Sequence, residues 1–289
     1  MVAQLVISGL ALGSIYALIA LALVLIHKAT DVVNFAQGEM ATFTTFLMFV
    51  LIKSTGLSVY VAIVLALPAG FVLGVIVQRF VIQPIAHRPP VNLLIAAIGL
   101  WIAFHHLSGW IWGYDPYKFP GLFAGEVIDL FGARISANSV ATLTVALSVM
   151  LLLYVFFEHT KEGVAMRAAS MNVRAARLMG ISVPRVWMLA WAVAGAVGAV
   201  AGVLTAPLTF LDFEMMVTVL LKAFAAAILG GFNSLPGAII GGFTIGLLEV
   251  FFGALVSTAF KDNFAFVIII LVLMVKPTGL FGRHRIKKV

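Results

Sequence analysis

The sequence predicts an all-α, polytopic membrane bundle of about 8–9 helices, and three observations carry that expectation. Hydrophobic residues make up 63% of the 289 positions, against 10% charged. A soluble domain carries roughly 25% charged residues, and a crossing helix uses roughly 20 apolar ones, so the stock suffices for about nine crossings. The mean hydropathy is +1.16. These values exclude a soluble, disordered or peripheral chain. They also argue against an outer-membrane barrel, whose strands alternate apolar and polar residues. There is no cysteine, so disulfides and thiolate metal sites are excluded.

Nine apolar segments follow in order: 4–26, 34–52, 58–78, 91–112, 137–157, 186–210, 217–232, 237–256 and 262–275. The first 26 residues carry no charge, which is wrong for a signal peptide, so Met1–Ile26 reads as the first spanning helix. The second segment opens on polar Asn34-Phe35-Ala36-Gln37-Gly38-Glu39, leaving only Met40–Ile52 apolar. The fourth carries Trp101, Trp110 and Trp112 beside His105-His106 and reads as an interfacial belt. Adjacent histidines point to different faces of a helix, which makes a poor metal site. The seventh runs into Gly230-Gly231-Phe232-Asn233-Ser234-Leu235-Pro236-Gly237, a turn or break. The last has Phe264–Val275 as its clean apolar run, about 18 Å of helix against roughly 30 Å of hydrocarbon. Segments two, seven and nine therefore read as interrupted. Interruption points to a transport pathway, and a tilted helix in thinned lipid is the competing account.

Lys and Arg set the orientation. With the N-terminus outside, inner loops hold 13 of them and outer loops 4, the outer ones being Lys53, Lys118, Arg134 and Lys261. That bias predicts N-out, C-in. The net charge of +7 is first a topology signal. Gly9/Gly13, Gly70/Gly74, Gly198/Gly202, Gly237/Gly241 and Gly242/Gly246 fit the GxxxG spacing that lets helices approach closely, mostly within the chain. The whole of 1–289 reads as a single transmembrane domain, with its longest inner polar stretch at about 158–185.

No P-loop, HExxH or GxSxG is present, so neither ATP binding nor hydrolytic chemistry is expected here, and no metal site. Three ionisable residues fall at membrane depth: Glu39, Lys222 and Glu249. Such groups are costly and often functional. Glu39 either lines the inner part of a path with Asn34 and Gln37 or caps its helix. Lys222 either snorkels outward or lines a pathway. A proton-coupled transporter would need these carboxylates. In the stretch 158–185, Ala, Met, Leu and Arg favour one amphipathic helix over about 164–179, and Gly180 suits its C-terminal cap. Arg167, Arg174 and Arg177 lie on it. Such a surface helix can dock into a partner's groove, and a lipid-binding loop is the plainer account.

Four stretches resemble the LivH-type permeases of branched-chain amino acid ABC importers. They are Gly9–Leu21, Val33–Glu39, Lys222–Gly231 with Pro236-Gly237-Ala238, and Lys276–Gly282, in family order from end to end. One departure is Gln37, where the family often has His. The resemblance implies a second homologous permease, two cytoplasmic ATPases that bind ATP and magnesium, and a periplasmic binding protein. It places the chain in the bacterial inner membrane, with no cofactor of its own. It implies that Arg167, Arg174, Arg177 and Gly180 form the ATPase-docking coupling helix. The expected mechanism is alternating access, with Asn34, Gln37, Glu39 and Lys222 along the translocation path. The family's relatives also carry urea, amides and aromatic acids, so the substrate stays open, as does whether the second permease is a copy. The rival readings are a proton-coupled secondary transporter, an intramembrane lipid transferase and a channel.

Overall fold

A computed structural model describes residues 2–123, 125–130, 133–276 and 278–282. The chain opens with α1 (Val2–Thr30), α2 (Gln37–Thr55) and α3 (Val59–Val77). A π-helical turn, Gln78–Ile82, carries α3 into the short α4 (Gln83–Ile85), and α5 (Pro90–Trp112) follows. Next come β1 (Val127–Leu130), β2 (Ala133–Ser136), α6 (Ala137–His159), α7 (Lys161–Met171) and α8 (Val173–Leu178). The last four helices are α9 (Val183–Thr205), α10 (Met215–Gly230), α11 (Leu235–Leu255) and α12 (Lys261–Val275).

Each of the nine apolar segments lies on a helix. Six helices are long and apolar enough to cross a membrane: Val2–Thr30, Val59–Ile85, Val91–Trp112, Ala137–His159, Val183–Thr205 and Leu235–Leu255. The segments read as interrupted are the ones that fall short. α10 and the apolar part of α12 are too short, and α2 is not apolar enough. Two local features differ from expectation. The polar stretch 113–136 contains an antiparallel hairpin, with Val127 opposite Ser136 and Asp129 opposite Arg134. The sixth segment, expected to reach residue 210, stops at Thr205, and the chain stays non-helical until Met215.

α1 and α9 form the enclosed centre; every residue of α1 from Gly13 to Ile26 is buried. Around them the packing repeats itself, with α1, α2, α3 and α5 exchanged for α9, α10, α11 and α12. α1 lies most extensively against α11, and α9 against α3. α10 packs along α1 as α2 packs along α9, and α12 meets α10 as α5 meets α2. The two units run in opposite directions. The end of α1, at Lys28 and Ala29, and the start of α9, at Arg185 and Val186, both sit beside α7. Such inverted repeats around interrupted helices are a recurring transporter architecture.

Glycines make the repeat possible. Gly70 and Gly74 of α3 press on the α9 backbone at Gly195 and Trp191, and Gly242 and Gly246 of α11 press on α1 at Ala17 and Gly13. Gly198 and Gly202 receive α2, and Gly237 and Gly241 receive α10. The GxxxG spacings thus serve contacts inside the chain. Gly246→Leu places a side chain on the α1 backbone and forces the helices apart. Overpacking costs about 1–3 kcal/mol or more, so its melting temperature in detergent should fall well below that of Gly99→Leu, whose site is open. Equal melting of the two variants would contradict this packing.

Candidate functional site

The site begins where α1 stops. Asp31 takes a left-handed conformation (φ 55°) and turns the chain back. Asn34 then organises the start of α2. Its Oδ1 accepts from Ala36 N at 3.1 Å, and its Nδ2 donates to Gln37 Oε1 at 3.2 Å. Gln37 Nε2 donates to Ala194 O of α9 at 2.9 Å, in space left by Gly198. Asn34 and Gln37 are fully buried. Ala194 lies eleven residues into α9, about 16 Å along a helix of about 34 Å. The first turn of α2 is therefore pinned halfway along α9.

α10 starts at the same level. After α9 the chain forms a bridge in which Tyr117 and Leu211 exchange backbone hydrogen bonds at 2.8 and 2.9 Å. It then descends to Met215, and Gly38 packs against Met216 O and Leu220. Neither α2 nor α10 has a side-chain cap on its first turn. Two helices of 19 and 16 residues thus point their N-termini, the positive ends of their dipoles, at one region.

Glu39 stands in that region and is 1% exposed. Its Oε1 accepts from Trp101 Nε1 at 3.1 Å, and His105 Nδ1 lies 3.2 Å away. Its Oε2 is buried without a hydrogen-bond partner among the described residues. Phe213, two residues before α10, sets its ring edge-on to His105 and to Tyr114, each at 5.0 Å. Trp101 is 37% exposed on this chain, and Glu214 and His106 are exposed beside it. Polar and aromatic groups therefore reach the surface of an otherwise apolar helix face. The sequence places Trp101 and His105 in an interfacial belt, and the structure joins both to Glu39. The usable signal was the i, i+4 spacing of Trp101 and His105, which places both on one face.

Lys222 lies elsewhere. Its Nζ donates to Glu249 Oε1 of α11 at 2.7 Å, and Tyr16 of α1 donates its hydroxyl proton to Glu249 Oε2 at 2.8 Å. All three residues are buried. This cluster joins α1, α10 and α11, and Lys222 does not snorkel outward. Nothing in the sequence around Tyr16 signals its part in this cluster.

The stretch 158–185 forms two helices, not the single one expected over 164–179. Asn172 breaks it: its Oδ1 accepts from Arg174 N at 3.0 Å and Ala175 N at 3.1 Å, ending α7 and capping α8. Gly180 closes α8 in the left-handed region (φ 80°), with Ile181 N donating to Ala176 O at 3.0 Å. Arg167 ion-pairs with Glu158 at the end of α6 and so ties α7 down. Arg174 and Arg177 are exposed. So are three large apolar side chains: Met171 at 85%, Leu178 at 89% and Met179 at 82%.

Residues 5–273 match the family described as "Branched-chain amino acid transport system / permease component". The chain is 33% identical to the high-affinity branched-chain amino acid transport system permease protein LivH of Escherichia coli K12, over 99% of this chain and 97% of that protein. It is 30% identical to the corresponding protein BraD of Pseudomonas aeruginosa, with the same coverage. It is 32% identical to the probable LivH permease of Methanocaldococcus jannaschii, over 93% of this chain and 89% of that one. No solved structure is significantly similar. With six helices able to span a membrane and a family match over nearly its whole length, the chain belongs to the permease components of branched-chain amino acid transport systems.

Proposed function

We propose that this chain is the membrane-spanning permease subunit of an ATP-driven ABC importer that moves branched-chain or related amino acids across the bacterial inner membrane. The whole of 1–289 acts as one permease unit. It sits N-out and C-in, with eight or nine helices in the membrane, counting the interrupted ones. A periplasmic binding protein delivers the substrate, a second homologous permease completes the path, and two cytoplasmic ATPases bind ATP and magnesium. This chain needs no cofactor for its part.

The observation that carries the reading is the exposed face of α8. Leu178 and Met179 stand out beside Arg174 and Arg177, on a rigid turn fixed by Asn172 and Gly180. Large apolar side chains held rigid in a basic loop suit a protein groove better than lipid headgroups. The excess of Lys and Arg in this and the other inner loops puts that face in the cytoplasm. Closure of the ATPases would move α7 and α8, and through Arg167 and Glu158 the end of α6. In the membrane, Asn34, Gln37 and Lys222 fasten α2 and α10, and Glu39, behind Trp101 and His105, belongs to the path between the two permeases.

Co-purification of the tagged chain in mild detergent, followed by mass spectrometry, tests the reading. Two P-loop ATPases and a second permease should follow it. A chain that purifies alone and moves solute in liposomes without ATP would overturn the proposal in favour of a secondary transporter.

A further inference from the structure

We infer that Glu39 is a binding station for the α-ammonium group of the amino acid in transit, held in place by Trp101 and His105. This rests on the transport reading above and adds the chemistry of one point along the path. The argument begins with an imbalance. Glu39 Oε1 has Trp101 Nε1 at 3.1 Å and His105 Nδ1 at 3.2 Å, while Oε2 is buried with no partner among the described residues. A buried carboxylate oxygen left unpaired is costly, more so than a neutral acceptor. The chain shows elsewhere how it fills such a group. Glu249 has Lys222 Nζ on one oxygen at 2.7 Å and the Tyr16 hydroxyl on the other at 2.8 Å. Among the described residues no lysine or arginine plays that part at Glu39, so the oxygen is open to a donor from outside them, and a cationic donor suits the acceptor best.

Position says which cation. Trp101 lies eleven residues into α5, about 16 Å along its axis, and this is the level at which α2 and α10 begin. Two uncapped helix N-termini favour a carboxylate, and Glu39 beside them favours an ammonium. Together they complement a zwitterion, as an inorganic cation would not require. The surroundings suit an aliphatic side chain. Phe43 packs edge-on to Phe104 and Trp112, and Phe213 covers His105. Trp101 and His105 bring the cluster to the surface of the chain, where a second permease would close over it.

Glu39→Gln tests this in the reconstituted complex, with permeases, ATPases and loaded binding protein in liposomes and L-leucine as the probe. Uptake should fall about ten- to hundred-fold, the worth of one charge-assisted hydrogen bond. ATP turnover stimulated by loaded binding protein should stay near wild type. A structural role would instead lower ATP turnover and uptake together. Uptake within about twofold of wild type would overturn the inference, a change too small for a lost charged contact. Should Glu39→Gln not assemble, Trp101→Phe decides. It keeps the charge and removes the donor that orients it. Uptake lowered at unchanged ATP turnover supports the station, and unchanged uptake overturns it. A wild-type complex that assembles but does not carry leucine refutes the transport reading itself, a distinguishable result.

Discussion

Lys222→Met should cost most of the folded protein, and Lys222→Met combined with Glu249→Leu should recover most of it. Glu249 loses its 2.7 Å cationic donor in the single variant and keeps the Tyr16 hydroxyl. Removing one partner of a buried ion pair costs about 3–5 kcal/mol, whereas replacing both by apolar side chains is often near neutral. A native protein is commonly stable by only about 5–15 kcal/mol, so the single loss is a large share. The cluster also ties together three helices, α1, α10 and α11, at one buried point. Losing the pair removes the polar tie between α10 and α11. Melting temperature and monodisperse yield in detergent check this. If the double variant is as damaged as the single, the cost is not an unpaired charge, and the explanation fails. Tyr16→Phe should cost less, about 1–3 kcal/mol, because it removes one neutral donor from a charged acceptor.

The same cluster shows what was legible in the sequence and what was not. Helix positions were legible because apolar length is a local property, and all nine segments lie on helices. Interruption was legible for a related reason. Polar Asn34–Glu39 and the Gly-rich run after Ile228 are departures from apolar continuity that stand out within a few residues. The left-handed Gly180 followed from the need for a C-terminal cap after a run of helix formers. Pairing was not legible. Glu249 finds Lys222 27 residues away and Glu39 finds His105 66 residues away. Each of these pairs joins two helices of one unit, and Tyr16 of α1 reaches Glu249 only because each unit's third helix packs on the other unit's first. Nothing in the composition of α3 says that its glycines face α9, and not α1. The break at Asn172 was hidden by good helix formers on both sides. A single Asn side chain competing for backbone N–H groups decides it. Polar Asn34 and Gln37 stand out in the sequence, but it does not show that the Gln37 amide turns into α9 and that the Asn34 amide closes on Gln37.

Leu178→Asp with Met179→Asp should abolish ATP-dependent uptake while leaving the permease folded and inserted. The two side chains are 89% and 82% exposed, so removing them disturbs almost nothing inside this chain. Each would bring about 1.5–3 kcal/mol to a docked interface if fully buried there. Aspartates would replace that gain with two buried charges and would oppose the basic character set by Arg174 and Arg177. An affinity loss of 3 kcal/mol or more corresponds to over about a hundredfold, since each 1.4 kcal/mol is tenfold. Arg174→Glu should act in the same direction. Its effect should weaken as salt rises, because an exposed charge is screened over about 10 Å at 0.1 M ionic strength. The salt dependence separates steering by charge from anchoring by apolar contact. If both variants recruit the ATPases normally and transport at the wild-type rate, α8 is not the docking surface, and its exposed methionine and leucine need another partner. If the aspartate pair abolishes uptake at every salt concentration while Arg174→Glu is impaired only at low salt, the apolar tip of α8 is the anchor and the arginines orient it. The two short helices then have a reason to be two. Asn172 turns α8 away from α7, so that Arg167 can hold one helix to the membrane bundle while the other presents its tip to the ATPase.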